Sequence, residues 1–201
     1  MLYLYIIIIS IIIGLLRNGK LSNLSQISLK KIELILLACL IQAGLIFLGS
    51  REIKFVLDYS SSMIIFSYIV LLLAVWHNKE LKGMNFIALG IIFNFVVIIA
   101  NGGHMPVLLD SLYKVGLDSF ALVLKEGTHV THTLITEKTL FRFLADVIPL
   151  SPPFPDPSVV SAGDFLMFYG VFSLIKNAMA KKQNSEIRNQ NLEDKELNPE
   201  S

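Results

Sequence analysis

The residues best suited to chemistry in this chain lie between two apolar stretches, in a polar region entered through Asn101-Gly102-Gly103-His104-Met105-Pro106 and continued by His129, His132, Asp146 and Asp164. His129 and His132 are spaced i,i+3 and would share a face if their segment were helical. With Asp146 or Asp164 they could then hold Zn²⁺ and leave one position open for water, as catalytic zinc sites do. A histidine pair in a Thr-rich loop is more commonly hydrogen-bonded surface, so no metal is assigned and no cofactor is specified. Asp146, between Phe143 and Ile148, is the carboxylate least explained by local structure, and desolvation there would mark a functional acid. Asp164 has a competing role, because three residues after Ser161, at the start of an apolar run, it completes a capping box. No Gly-rich phosphate loop, nucleophile elbow or His-Glu-x-x-His helix occurs, so the common hydrolase signatures are missing.

These side chains must be carried by a membrane protein. Of 201 residues, 54% are hydrophobic and 16% charged, and the mean hydropathy is +0.64, far more apolar than an ordinary soluble domain. A net charge of +1 supplies no basic field for nucleic acid. The single cysteine, Cys39, excludes an intrachain disulfide. The expected architecture is an all-α, polytopic membrane bundle over residues 1–180. About five transmembrane helices, near 2–16, 32–48, 60–76, 86–100 and 162–179, join an extracytoplasmic amphipathic-helix and loop segment at 101–161. Arg17, Lys20, Lys30, Lys31, Lys79, Lys82, Lys176, Lys181 and Lys182 flank alternate ends of these spans. That pattern places the N-terminus outside and the C-terminus in the cytoplasm. The polar, mixed-sign tail at 181–201 lacks apolar periodicity and is expected to be disordered.

Within the spans, Gln42 and Asn94 are polar groups that default to bonding a neighbouring helix. Gly90, Asn94 and Asn101 share a helical stripe, and the sharper reading of Asn94 is that it lies beneath the outer mouth and lines a polar cavity. Asn101-Gly102-Gly103 suits a left-handed helix end, and Pro106 fits the first position of a following helix. Residues 107–126 read as one amphipathic helix or two short ones hinged at Gly116, closed by Gly127 and lying in the interfacial plane. Residues 149–157, with five prolines, read as a stiff surface loop.

Asn101-Gly102-Gly103-x-Met105-Pro106, a later histidine, Asp146-Val147-Ile148-Pro149 and Ser161-x-Gly163-Asp164 before a last span resemble the domain-of-unknown-function 5317 family of small multi-pass bacterial membrane proteins. The resemblance runs from the first anchor to the fifth helix. It implies His132 rather than His104 as the matching histidine, a plasma-membrane location and outward-facing motifs, and it implies no reaction. Relatives often carry Leu-Gly-Asp where this chain has Leu144-Ala145-Asp146.

Three functions are compatible with these residues. The preferred one is a non-catalytic membrane protein whose outer mouth, walled by Asn101, Gly102, Gly103, Met105, Pro106, His132, Asp146 and Asp164, binds a small polar ligand, a lipid headgroup or a partner's segment. The second is a membrane-embedded hydrolase or transferase, metal-dependent or not, acting on a lipid-linked substrate. The third is a small-solute transporter, which the lack of a charge deep in any span disfavours. The bilayer is the expected partner, with a second membrane protein or a second copy of the chain as further candidates.

Overall fold

The computed structural model describes residues 2–51, 53–151 and 156–197. It is mostly helical, and five apolar helices form its frame: α1 (Leu2–Leu16), α2 (Ile32–Gly49), α3 (Lys54–His77), α4 (Met84–Ala100) and α7 (Ala162–Leu197). Two of them, α2 with 18 residues and α3 with 24, are long and apolar enough to cross a membrane, whereas α1 and α4 have 15 and 17 residues. They pack in the order α2, α3, α4, α7, α1. Large apolar side chains such as Leu36, Leu40, Phe47, Phe55, Phe66 and Trp76 face out of the bundle, which inverts the usual soluble arrangement.

Glycines set the closest helix contact. Gly83 lies against Gly170, and Gly90 against Gly163, so α4 and α7 run antiparallel with backbone almost touching backbone. A Cβ at any of the four positions would press on the other helix, so only glycine allows this approach.

Residues 101–161 form a cap over one end of the frame. Here the expectation of an all-helical protein needs correction, because the cap holds two small sheets. Strands β1 (Met105–Val107) and β2 (His132–Leu134) pair in parallel, and β3 (Ile148–Leu150) and β4 (Ser158–Val160) pair antiparallel. Pro106 is therefore not the first residue of a helix but the buried centre of β1. Parallel ladders point a residue's N–H and C=O to the same side, and here Met105 and Val107 bond the β2 side while the Pro106 carbonyl accepts from Asp146 N–H on the other. The missing proline donor thus leaves no gap against β2. His129 and His132 do not share a helix face either, since their segment is a loop running into β2.

Between the strands, α5 (Leu109–Lys114) and α6 (Asp118–Glu126) are two short helices separated at Gly116, φ +76°, and α6 ends at Gly127, φ +69°. The proline loop falls partly outside the described residues, with Pro149 inside β3. Ala145, at φ −72° and fully buried, needs no glycine conformation.

Two asparagines fasten loops to helix ends in the same way. Asn101, which caps α4, donates to Val97 O at 2.7 Å and Leu140 O at 3.0 Å while accepting from Leu140 N at 2.9 Å. Asn78, at the end of α3, donates to Ala74 O and Lys30 O and accepts from Lys30 N. Asn101 itself stays at negative φ, and Gly102 (+70°) and Gly103 (+87°) make the left-handed turn. Gly103 rests on Ser61, whose hydroxyl donates to Gly102 O at 2.7 Å.

Helix α7 continues from its apolar part to Leu197. No Gly or Pro occurs between Gly170 and Pro199, so a helix nucleated by the packed portion propagates without a breaker.

Candidate functional site

The cap closes over a cavity of about 170 Å³. Its polar wall is drawn from four directions: Gln42 on α2, Tyr68 on α3, Asn94 on α4, and Asp164 on α7, with His132 and Asp146 from the cap above. Ile46, Ile64, Ile98 and Met105 supply the apolar part, and Thr131 completes the rim.

Each polar group has a local reason for its position. At the N-terminus of α7, Asp164 Oδ2 accepts from Ser161 N at 2.9 Å and Ser161 Oγ accepts from Asp164 N at 3.0 Å, a reciprocal cap for orphan helix donors. Asn94 joins this cap across the α4–α7 contact, donating to Asp164 Oδ1 at 3.0 Å, with Ser161 Oγ 2.9 Å from Asn94 Oδ1. Gln42 donates to Ser67 Oγ at 3.1 Å. Both readings of Asn94 therefore hold: it bonds across helices and it faces the cavity.

His132 and Asp146 flank β1 on opposite sides, His132 in register with Met105 and Asp146 bridged to Val107. Backbone pairing thus brings together side chains 14 positions apart, with His132 Nε2 3.8 Å from Asp146 Oδ2, too far for a hydrogen bond. Asp146 is only 7% exposed, and its Oδ1 is buried without a hydrogen-bond partner. Burial, reinforced by the nearby Asp164 carboxylate, holds the Asp146 carboxyl well above the usual carboxylate range. Burial also lowers His132 to about 3, with His129 and His104 adding like-charge repulsion. The side chain retains 32% exposure, yet it is packed among Phe120, His129 and Thr131. Both shifts disfavour the charged forms of the pair.

These shifts bear on catalysis. Thr131 Oγ1 lies 2.8 Å from His132 Nδ1, and with Asp146 this makes a hydroxyl, imidazole and carboxyl series. A histidine lowered to about 3 is a poor general base near neutral pH. His129 points its Nδ1 at the backbone N–H groups of Thr131 and His132, so that nitrogen is an acceptor already in use. Among the described residues, no three His, Cys, Asp or Glu side chains are grouped to hold a metal ion.

Of the residues singled out in the sequence, Met105, His132, Asp146 and Asp164 meet at the cavity. Asn101, Gly102, Gly103 and Pro106 are not in its wall; they fasten the cap that forms it. Tyr68 and Thr131 gave no signal in the sequence. Gln42 and Asn94 did, as isolated amides in apolar spans.

Fold and cavity together define an apolar helical bundle, capped at one end, with a buried acid and an imidazole on the underside of that cap. The chain belongs to the family of unknown function DUF5317, whose model matches residues 26–176. A Thermotoga maritima protein described as uncharacterised is 32% identical over 116 residues, 58% of this chain and 64% of that relative, so the match spans less than two thirds of its length. No solved structure matches.

Proposed function

We propose that the chain is an integral membrane protein whose five apolar helices cross the bacterial plasma membrane and whose capped cavity, on the outer face, binds a small polar ligand. The observation that carries the site is Asp146: a buried acid whose Oδ1 lacks a partner, in the wall of a cavity that also collects His132, Asn94, Gln42 and Asp164. An unmade hydrogen bond of a buried group costs about 1–3 kcal/mol, and a bound molecule that donates to Asp146 recovers it. Membrane crossing is supported by α2 and α3, by the outward apolar side chains, and by alternation of helix direction, with Arg17, Lys20, Lys30, Lys31, Lys79 and Lys82 at the end away from the cap. The short α1 and α4 suit a locally thinned bilayer or tilting of their neighbours.

Topology and site are tested separately. In a Cys39→Ser background, a cysteine at exposed Lys138 should react with an impermeant maleimide on intact cells, and one at Lys82 only after lysis. The reverse pattern discards the outer location. For the site, Asp146→Asn and Asn94→Ala should each alter the binding of small polar molecules to the purified protein. Unchanged binding in both variants discards the cavity as the site.

A further inference from the structure

We infer that the ligand of this cavity is a small primary alkylammonium ion, its charged head held by Asp146 and Asp164 and its alkyl part laid against Ile46, Ile64, Ile98 and Met105. The inference rests on the polar-site reading above and specifies the ligand.

Charge and shape lead to it. The lining contains two carboxyl groups and no Lys or Arg, so an anion would meet acids with no cation to receive it. Burial keeps the one lining imidazole, His132, neutral. Asp146 Oδ1 is an acceptor without a donor, whereas Asp164 Oδ1 is engaged by one Asn94 N–H and keeps lone-pair capacity. An ammonium head carries three donors and no acceptor, which matches a site rich in acceptors. Ile46, Ile64, Ile98 and Met105 give the wall an apolar part, and it would be wasted on a bare metal ion. About 170 Å³ is on the order of the space that holds one benzene-sized molecule, roughly six non-hydrogen atoms.

Uptake is tied to a proton. At pH below its raised folded value, Asp146 enters as the neutral acid, and its O–H proton leaves to solvent as the ammonium takes its place beside the carboxylate, so total charge is conserved. The titratable groups around Asp146 are His132 on β2, Asp164 on α7, Tyr68 on α3 and Tyr3 on α1, with His129 and His104 beyond His132. None of these is a cation that could substitute for the ligand.

The test is calorimetric titration of the full chain in lipid nanodiscs with n-butylammonium, 1-butanol, butyrate, Na⁺ and K⁺, in buffers of different ionisation enthalpy. Butylammonium should bind with release of about one proton per ion, and its apparent affinity should rise about tenfold per pH unit until Asp146 has titrated. Asp146→Asn should abolish the proton release and weaken binding about tenfold or more. Absence of butylammonium binding overturns the inference. So does equal binding of 1-butanol without proton release, which keeps a polar site but not a cation site, and so does equal proton release by Na⁺ or K⁺, which makes it an alkali-ion site. If none of the five probes binds and Asp146→Asn unfolds at the wild-type temperature at every pH, the polar-site reading falls with it.

Discussion

Gly163→Ala is the substitution whose effect follows most directly from the geometry. A Cβ at Gly163 would fall on the Asn94 amide oxygen, 2.7 Å from Gly90 O and 2.8 Å from Asn94 Cγ. The Gly90 carbonyl belongs to a helix backbone and yields only if α4 moves off α7. Overpacking of this kind costs about 1–3 kcal/mol. Displacing Asn94 also removes its bond to Asp164 and its contact with Ser161, about 1 kcal/mol each. Alanine's better helix propensity returns at most about 1 kcal/mol, leaving a net loss of about 2–4 kcal/mol. Gly44→Ala is the control, because nothing lies within 4 Å of a Cβ there; it should be neutral or stabilising by up to about 1 kcal/mol. Unfolding of the detergent-solubilised protein, followed by circular dichroism, measures both. Adding Asn94→Ala removes the amide that the new methyl strikes, so the two changes should be coupled by about 1–2 kcal/mol. A Gly163→Ala protein as stable as Gly44→Ala, or strict additivity with Asn94→Ala, would refute this account of the α4–α7 contact.

Stability should depend on pH through the His132 and Asp146 pair, with opposite signs. Asp146 is raised in the fold, so the folded state holds the proton that the unfolded chain gives up. Its contribution is complete below the unfolded value near 3.9 and declines as pH rises through the folded value, by up to about 1.4 kcal/mol per unit. His132 is lowered to about 3, so its contribution is present above about 6.5 and is lost as pH falls towards 3. Wild type should therefore lose stability relative to Asp146→Asn as pH rises from the unfolded carboxyl value near 3.9 towards the raised folded value, as melting temperatures across pH would reveal. Asn101→Ala severs two hydrogen bonds that hold Leu140 to the end of α4 and a third to Val97 O; it should cost about 2 kcal/mol and speed limited proteolysis between 136 and 146. Gly103→Ala combines φ +87° with backbone contact on Ser61 and should cost more than Gly102→Ala, which meets open space at φ +70°.

The apolar helices, the Ser161–Asp164 cap, the breaks at Gly116 and Gly127 and the importance of the Asn101 turn were legible in the sequence, because each depends on periodicity or on conformational limits acting within a few residues. Lys30, Leu140 and the other ends of the asparagine clamps were not, since nothing local distinguishes the backbone group that a side chain will find. The strands escaped for a related reason: β1 is three residues long and exists only because β2 and the Asp146 segment lie on either side of it. Asp146 shows the division most clearly. Its place between apolar residues marked it as an unexplained acid, but whether it met water or protein depended on a cap folding over α2, α3, α4 and α7. Sequence alone determined which polar groups this membrane-like chain carries. Tertiary structure decided which of them share one cavity, because desolvation and convergence are properties of neighbours in space and not along the chain.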